Sequence, residues 1–424
     1  MNRILTCAGL AVVGAMAVHA QTIGEPSPSK LWSISAKLRG FYDDNYTTGP
    51  SHSVPGRPKK DESWGVNFSP SAALNLFREQ TTLQLRYTYD LRWYEARVDN
   101  EIDHTHVADI TFLHDFTERY RLELKNRFAY ASEPEIIEPG AKATFYRGNN
   151  SAYRNYASAG FYVDWSEKFG SRIGYENRLY DYEDDGPGSR SALLDRMEHL
   201  VNIDLRYHWQ PVTTLLVGYQ FGYSDQLSHD LLANPAYMLP GIRIPEASYR
   251  DQRSHYGFVG VDHQFTPTLL GQARLGFQYA DYFHADDDYW APYADASLSY
   301  EYTTGSRVFV GVQHSIGATD LAMLRTRGGA TVASETTALY AAVSHRLLPR
   351  VQLFVRGSWQ LSQYLGGPFD DESDHYWTAD VNITYTVNEY VALEAGYLYD
   401  RLDSDLNGRG YTRNRGYIGV KATY

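Results

Sequence analysis

The chain of 424 residues contains a single cysteine and five methionines, and beyond its first twenty positions it has no long apolar run. Cys7 lies within the apolar stretch from Ile4 to Val18, which follows the short basic region Asn2-Arg3. Val18-His19-Ala20 then fits a small-x-small cleavage site, so residues 1–20 are expected to be a signal peptide, with a buried N-terminal helix as the alternative. Cys7 would leave with that segment. The rest of the chain then has no disulfide, no thiol nucleophile and no Cys-ligated metal. After residue 20 no stretch reaches about 18 consecutive apolar residues, which excludes membrane-spanning helices. Positive charge is also scarce: 39 Lys+Arg stand against 51 Asp+Glu, a formal net charge of −12, and the expected signal peptide carries only Arg3. Such a balance argues against nucleic acid as a partner. No G-x-S-x-G, H-E-x-x-H or phosphate-binding loop occurs.

Aromatic residues are abundant, with 36 Tyr and 8 Trp. They fall into strands. From Thr82 to Trp93, the residues Leu83, Leu85, Tyr87, Tyr89, Leu91 and Trp93 alternate with Gln84, Arg86, Thr88, Asp90 and Arg92. In a strand these two sets point to opposite faces. Twelve residues is long for a soluble sandwich and matches a tilted strand crossing a membrane. The pattern recurs from Tyr120 to Tyr130, from Met197 to Tyr207 and from Trp377 to Tyr385. Short turn-forming clusters such as Phe77-Arg78-Glu79-Gln80, Gln210-Pro211 and Thr303-Thr304-Gly305 alternate with long polar segments at 44–62, 94–103, 132–152, 183–195, 225–253, 281–290, 317–334, 365–374 and 400–413.

This asymmetry predicts an all-β, transmembrane, antiparallel up-and-down barrel of about 18 strands, 16 being the alternative. Short turns would lie in the periplasm and long loops outside. The expected organisation is a signal peptide over 1–20, a short periplasmic leader over 21–30 and the barrel over 31–424. Rings beside the short turns (Phe77, Phe116, Tyr120, Trp165, Phe169, Trp209, Phe265, Tyr302, Tyr385 and Tyr390) suit the periplasmic interface. The chain ends in the strand-like run Gly416–Tyr424, whose outward set is Ile418, Val420, Ala422 and Tyr424.

That patterning, with its C-terminal strand, resembles the β-barrel porins of Gram-negative outer membranes over the whole chain after the leader. Within them it is similar to barrels associated with exopolysaccharide or capsule production. The terminal run resembles the signal read by the barrel-assembly machinery. The resemblance implies passage of small hydrophilic or saccharide solutes, a link to exopolysaccharide export, and a setting of outer-membrane lipid and lipopolysaccharide. An outer-membrane hydrolase or a surface glycan-binding barrel is the alternative, and no cofactor is expected.

Candidate lining residues follow from strand parity. Arg86, Arg92, Arg121, Lys125, Arg127, Arg172, Arg178 and Arg206 fall on neighbouring strands of the N-terminal half, whereas Asp262, Asp295, Glu301 and Asp380 lie in the other half. The pattern suggests a basic wall facing an acidic one, or else a hydrated lining compensated by carboxylates on the same strands. Asp403, Asp405 and Asn407, followed by Gly408, match the first half of a calcium loop, but position twelve is Asn414. His104 and His106 share a strand face without an evident third ligand. Acidic-aromatic runs at Phe41–Asp44, Tyr182–Asp185, Asp286–Trp290 and Phe369–Glu372 read as loop tips able to touch sugars, or as solvated loops and an upper aromatic girdle.

Overall fold

The computed structural model describes residues 30–51, 59–131, 151–238, 241–322, 324–325 and 328–424. The expected signal peptide and nearly all of the expected leader lie outside them, as does most of segment 132–152.

Long alternating runs produce long strands. In chain order these are β1 (Trp32–Asp43), β2 (Ser63–Phe77), β3 (Thr81–Tyr94), β4 (Ile102–Thr117), β5 (Tyr120–Ala131), β6 (Ala152–Asp164), β7 (Phe169–Tyr182), β8 (Arg196–Gln210), β9 (Thr213–Gln226) and β10 (Gln252–Thr266). They continue as β11 (Leu269–Tyr282), β12 (Asp287–Thr303), β13 (Ser306–Gly317), β14 (Leu324–Arg325), β15 (Gly328–Ala330), β16 (Ala333–Leu348), β17 (Val351–Leu365), β18 (Ser373–Thr386), β19 (Val391–Ser404) and β20 (Tyr411–Thr423). The pair β14–β15 is a small hairpin inside one loop; the other eighteen strands form a single sheet. Each pairs antiparallel with its chain neighbours. The sheet closes where β1 meets β20, from Ser35↔Thr423 to Asp43↔Arg415. Closure leaves no edge with unpaired backbone groups, as a lipid environment demands.

Strand parity sets the two faces. On β8 the outward Val201, Ile203, Leu205 and Trp209 are exposed, while the inward Arg196, Asn202 and Asp204 are buried. The large apolar side chains are thus mostly on the outside, an inversion of a soluble core. All ten rings expected beside the short turns are exposed. Several strands carry a bulge just before their short turn, as at Asp115/Thr117, His208/Gln210 and Gln264/Thr266, which tightens the twist where the chain reverses. At the turn Thr304-Gly305, Gly305 has a φ of 76°, a conformation glycine adopts at no steric cost.

Several loops are shorter than the sequence pattern suggests. Segment 281–290 is a loop only over 283–286, because Asp286 takes a left-handed φ of 57° and closes a tight reversal. Likewise 400–413 shrinks to 405–410, since the strand alternation continues through polar residues. Three of the acidic-aromatic tips therefore include strand residues. Phe41 and Asp43 end β1 as buried inward groups, and Tyr182 ends β7. Trp290 projects outward from β12 and is 70% exposed.

Candidate functional site: the barrel lumen

The structure places every candidate lining residue on the inward face, since each has the opposite parity to the exposed apolar residues of its strand. It does not separate them into a basic and an acidic wall. The cations have carboxylates on the same or nearby strands. Arg121 Nε lies 2.5 Å from Asp115, Arg127 lies 2.9 Å from Asp109, and Arg92 lies 3.1 Å from Asp90. Lys125 pairs with Glu123. Arg178 lies 2.8 Å from Glu176 and 3.6 Å from Glu198. Arg172 is 3.9 Å from Asp204, and Arg86 stands across from Asp109 in the β3–β4 register. The acids of the other half are matched in turn: Asp262 is bridged by Arg206 at 3.0 Å and Arg274 at 2.6 Å, and Asp380 lies 3.0 Å from Arg356. Asp295 stands opposite Arg274, and Glu301 is 4.0 Å from Arg307 at the short-turn end. Such pairing reflects the cost of holding an uncompensated charge away from bulk water.

The seam where the two ends of the chain meet holds a niche that the sequence pattern did not single out. Arg39 grips Glu394 through two nitrogens, at 2.5 and 3.0 Å, and lies over the Tyr417 ring at 4.5 Å. Around this pair, Lys37, Asn67, Arg92, Asp380, Asn382 and Arg415 join Phe41 and Phe354 to line a cavity of about 220 Å³. Above it, Arg413 and Arg415 both hold the fully buried Asp43. Parity applied to the first and last strands would have found Arg39, Arg413, Arg415 and Lys421, each of which alternates with outward residues.

The long-loop end is covered by loops folded over the inner wall. Arg250, in segment 227–251, is 3% exposed and donates to backbone carbonyls of two other loops. It reaches Leu193 O at 3.2 Å, Thr319 O at 3.0 Å, Thr331 O at 2.7 Å, and also Leu321 O. Burial without a carboxylate bonded to it pushes the guanidinium down to about 10. On the far side of the same loop, Arg409 binds Asp320 through two nitrogens at 2.9 Å and Asp374 at 2.7 Å. These carboxylates hold its guanidinium well above its ordinary value. Loop 318–332 is thereby tied at both ends, between segment 227–251 and the inner face of β18. Leu232, Ala247, Ala322 and Ala330 pack beneath these contacts. No periodicity marks Arg250, Arg409 or Asp320, because all three sit in loops.

The calcium-like loop does not gather its oxygens. Asp403 projects outward from β19 and pairs with Arg401 at 2.9 Å. Asp405 instead accepts the N–H and hydroxyl of Ser373 at 3.0 and 2.7 Å. Among the described residues no cluster of three or more His, Cys, Asp or Glu could hold a metal. His104 and His106 face outward, away from the lumen.

A closed eighteen-stranded barrel, apolar outside and lined with compensated charge inside, is the architecture of an outer-membrane porin. The model of the family described as "Putative beta-barrel porin 2" matches residues 35–424, so the chain belongs to that family, and its location is the outer membrane of a Gram-negative bacterium. No curated protein matches the chain. Among solved structures it is similar to a BenF-like porin from Pseudomonas fluorescens Pf-5, with 12% identity, a TM-score of 0.45, and coverage of 93% of this chain and 99% of that one. It is also similar to OccAB4 of Acinetobacter baumannii, with 13% identity, a TM-score of 0.43, and coverage of 94% and 100%. The FrpB iron transporter of Neisseria meningitidis is similar at 9% identity and a TM-score of 0.45, with coverage of 93% and 82%.

Proposed function

We propose that the protein is a passive, non-enzymatic channel for small hydroxylated solutes, saccharides among them. The observation that carries this reading is the inner wall: a near-continuous lattice of ion pairs and amides, with rings such as Tyr417 and Phe41 beside them in the niche. Paired charges offer many hydrogen bonds without a strong net field, which suits neutral polyols better than a single class of ion. The covered mouth favours small molecules; a role in exopolysaccharide export would require loop 318–332 to move aside for the polymer.

Purified protein in planar bilayers is expected to give discrete conductance steps. A reversal potential near zero in a salt gradient and partial block by added oligosaccharide should accompany them. Changing Arg121, Arg172 and Arg206 to Ser removes the partners of Asp115 and Asp204 and leaves Asp262 with Arg274 alone, so selectivity should move towards cations. Folded protein that inserts but conducts nothing would overturn the channel, and strong selectivity for one ion sign in the native protein would overturn the neutral-solute reading.

A further inference from the structure

Seven of the nine histidines that face outward from the described strands fall at two levels, His104 and His314 being the others. His106, His199, His255 and His375 all face outward, and each stands eleven residues above the short-turn end of its strand, at Thr117, Gln210, Thr266 and Thr386. His114, His263 and His345 also face outward, each three residues above Thr117, Thr266 and Leu348. Eight residues separate the rings, about 26 Å along a strand and roughly 20 Å along the barrel axis at a tilt of about 40°. An apolar band about 25 Å tall is close to that interval, and outward Ile110, Ile203, Leu205, Val259, Val381 and Ile383 fill it. The upper ring therefore lies at the outer-leaflet interface.

The partners in the upper ring define its chemistry. Tyr87, Tyr175 and Tyr219, each the seventh residue of its strand, place their hydroxyls 2.8, 2.7 and 2.7 Å from Nδ1 of His106, His199 and His255. The Trp359 indole donates to His375 Nδ1 at 3.3 Å. An indole only donates, so there Nε2 carries the proton. In the tyrosine pairs either direction of the shared bond leaves one donor over, imidazole N–H or phenol O–H. The ring thus presents donors in need of acceptors at the level of the lipid headgroups. Arg253, outward and two residues above His255, adds fixed positive charge there.

We propose that this upper ring docks the phosphorylated glycolipid headgroups of the outer leaflet, with the imidazole and phenol donors taking phosphoryl oxygens. Asp225 and Asp281 project from neighbouring strands one outward step nearer the loops and Asp181 two, so the test keeps magnesium present to screen them. The whole purified protein in detergent is mixed with bisphosphorylated lipid A, or with the same lipid stripped of phosphate, and retained lipid is counted by native mass spectrometry. The native barrel should retain the phosphorylated lipid at about ten-fold lower concentration, a preference of ~1.4 kcal/mol. The triple variant His106→Phe, His199→Phe, His255→Phe should lose that preference, while His114→Phe with His263→Phe should keep it. Heat-modifiable gel mobility reports folding, and if the triple variant fails to assemble, His255→Phe alone should show a reduced preference. Equal retention of the two lipids by the native barrel, or an unchanged preference in the upper-ring variants, would overturn the proposal. Conductance is measured separately, so failure here leaves the channel reading untouched.

Discussion

Replacing Arg250 with Met should release the loops that cover the mouth while leaving the barrel wall intact. Arg250 belongs to no strand, and its donors go to carbonyls of Leu193, Thr319, Leu321 and Thr331. Hydrogen bonds from a charged donor contribute about 1.5–3 kcal/mol each before the cost of burying the charge. Methionine has similar length but donates nothing, so those carbonyls would stay buried without this partner. A buried acceptor left unsatisfied costs about 1–3 kcal/mol. That cost falls on loop docking, so the undocked population should rise. Single-channel recordings of R250M should show larger or noisier conductance, and limited proteolysis should cut within 318–332. Arg250→Lys should rescue only in part, since an ammonium cannot span so many carbonyls. Native conductance together with native protease resistance in R250M would refute this account of the mouth.

Three further outcomes follow. Leu205→Arg puts a charge on the lipid face at a position 53% exposed, and should destabilise the barrel by about 2–4 kcal/mol near the bilayer midplane; equilibrium unfolding in lipid measures it, and an unchanged midpoint would reverse the face assignment. Tyr424 exchanges backbone hydrogen bonds with Ile34 at 3.1 and 2.8 Å and sets its ring 5.7 Å from Trp32. Tyr424→Asp should therefore leave unassembled, protease-sensitive chain, judged by gel mobility without heating. Asp195, buried behind Ser191 and the Tyr182 N–H, is pushed up to about 6. A raised carboxyl favours the docked loop below its ordinary pKa, near 3.8, and that contribution is lost as pH rises through about 6. Segment 183–195 should thus resist protease better at pH 5 than at pH 7.5, and Asp195→Asn should flatten the difference.

Strand parity was legible in the residues themselves. Leu85 and Arg86, or Leu205 and Arg206, point oppositely because successive side chains in a strand must, and the exposed girdle and eighteen strands follow from repeating that rule between turns. Loop lengths were less legible: a polar strand end such as Asp287-Asp288 reads like a loop until its pairing with Tyr282 and Asp281 is known. The charge pattern along the chain suggested opposed walls, yet Arg206 meets Asp262 from a strand two places along the sheet. Closure of the barrel alone brings Arg39 to Glu394 and Asp43 to Arg413, across more than 350 residues. Register between neighbouring strands aligns the tyrosines with outward histidines, and loop folding sets Arg250 and Arg409 on either side of one loop. The sequence by itself determined which way each strand residue faces, because that depends only on its immediate neighbours. Which charge meets which, and what covers the mouth, was decided by register and closure, which join residues that no local period connects.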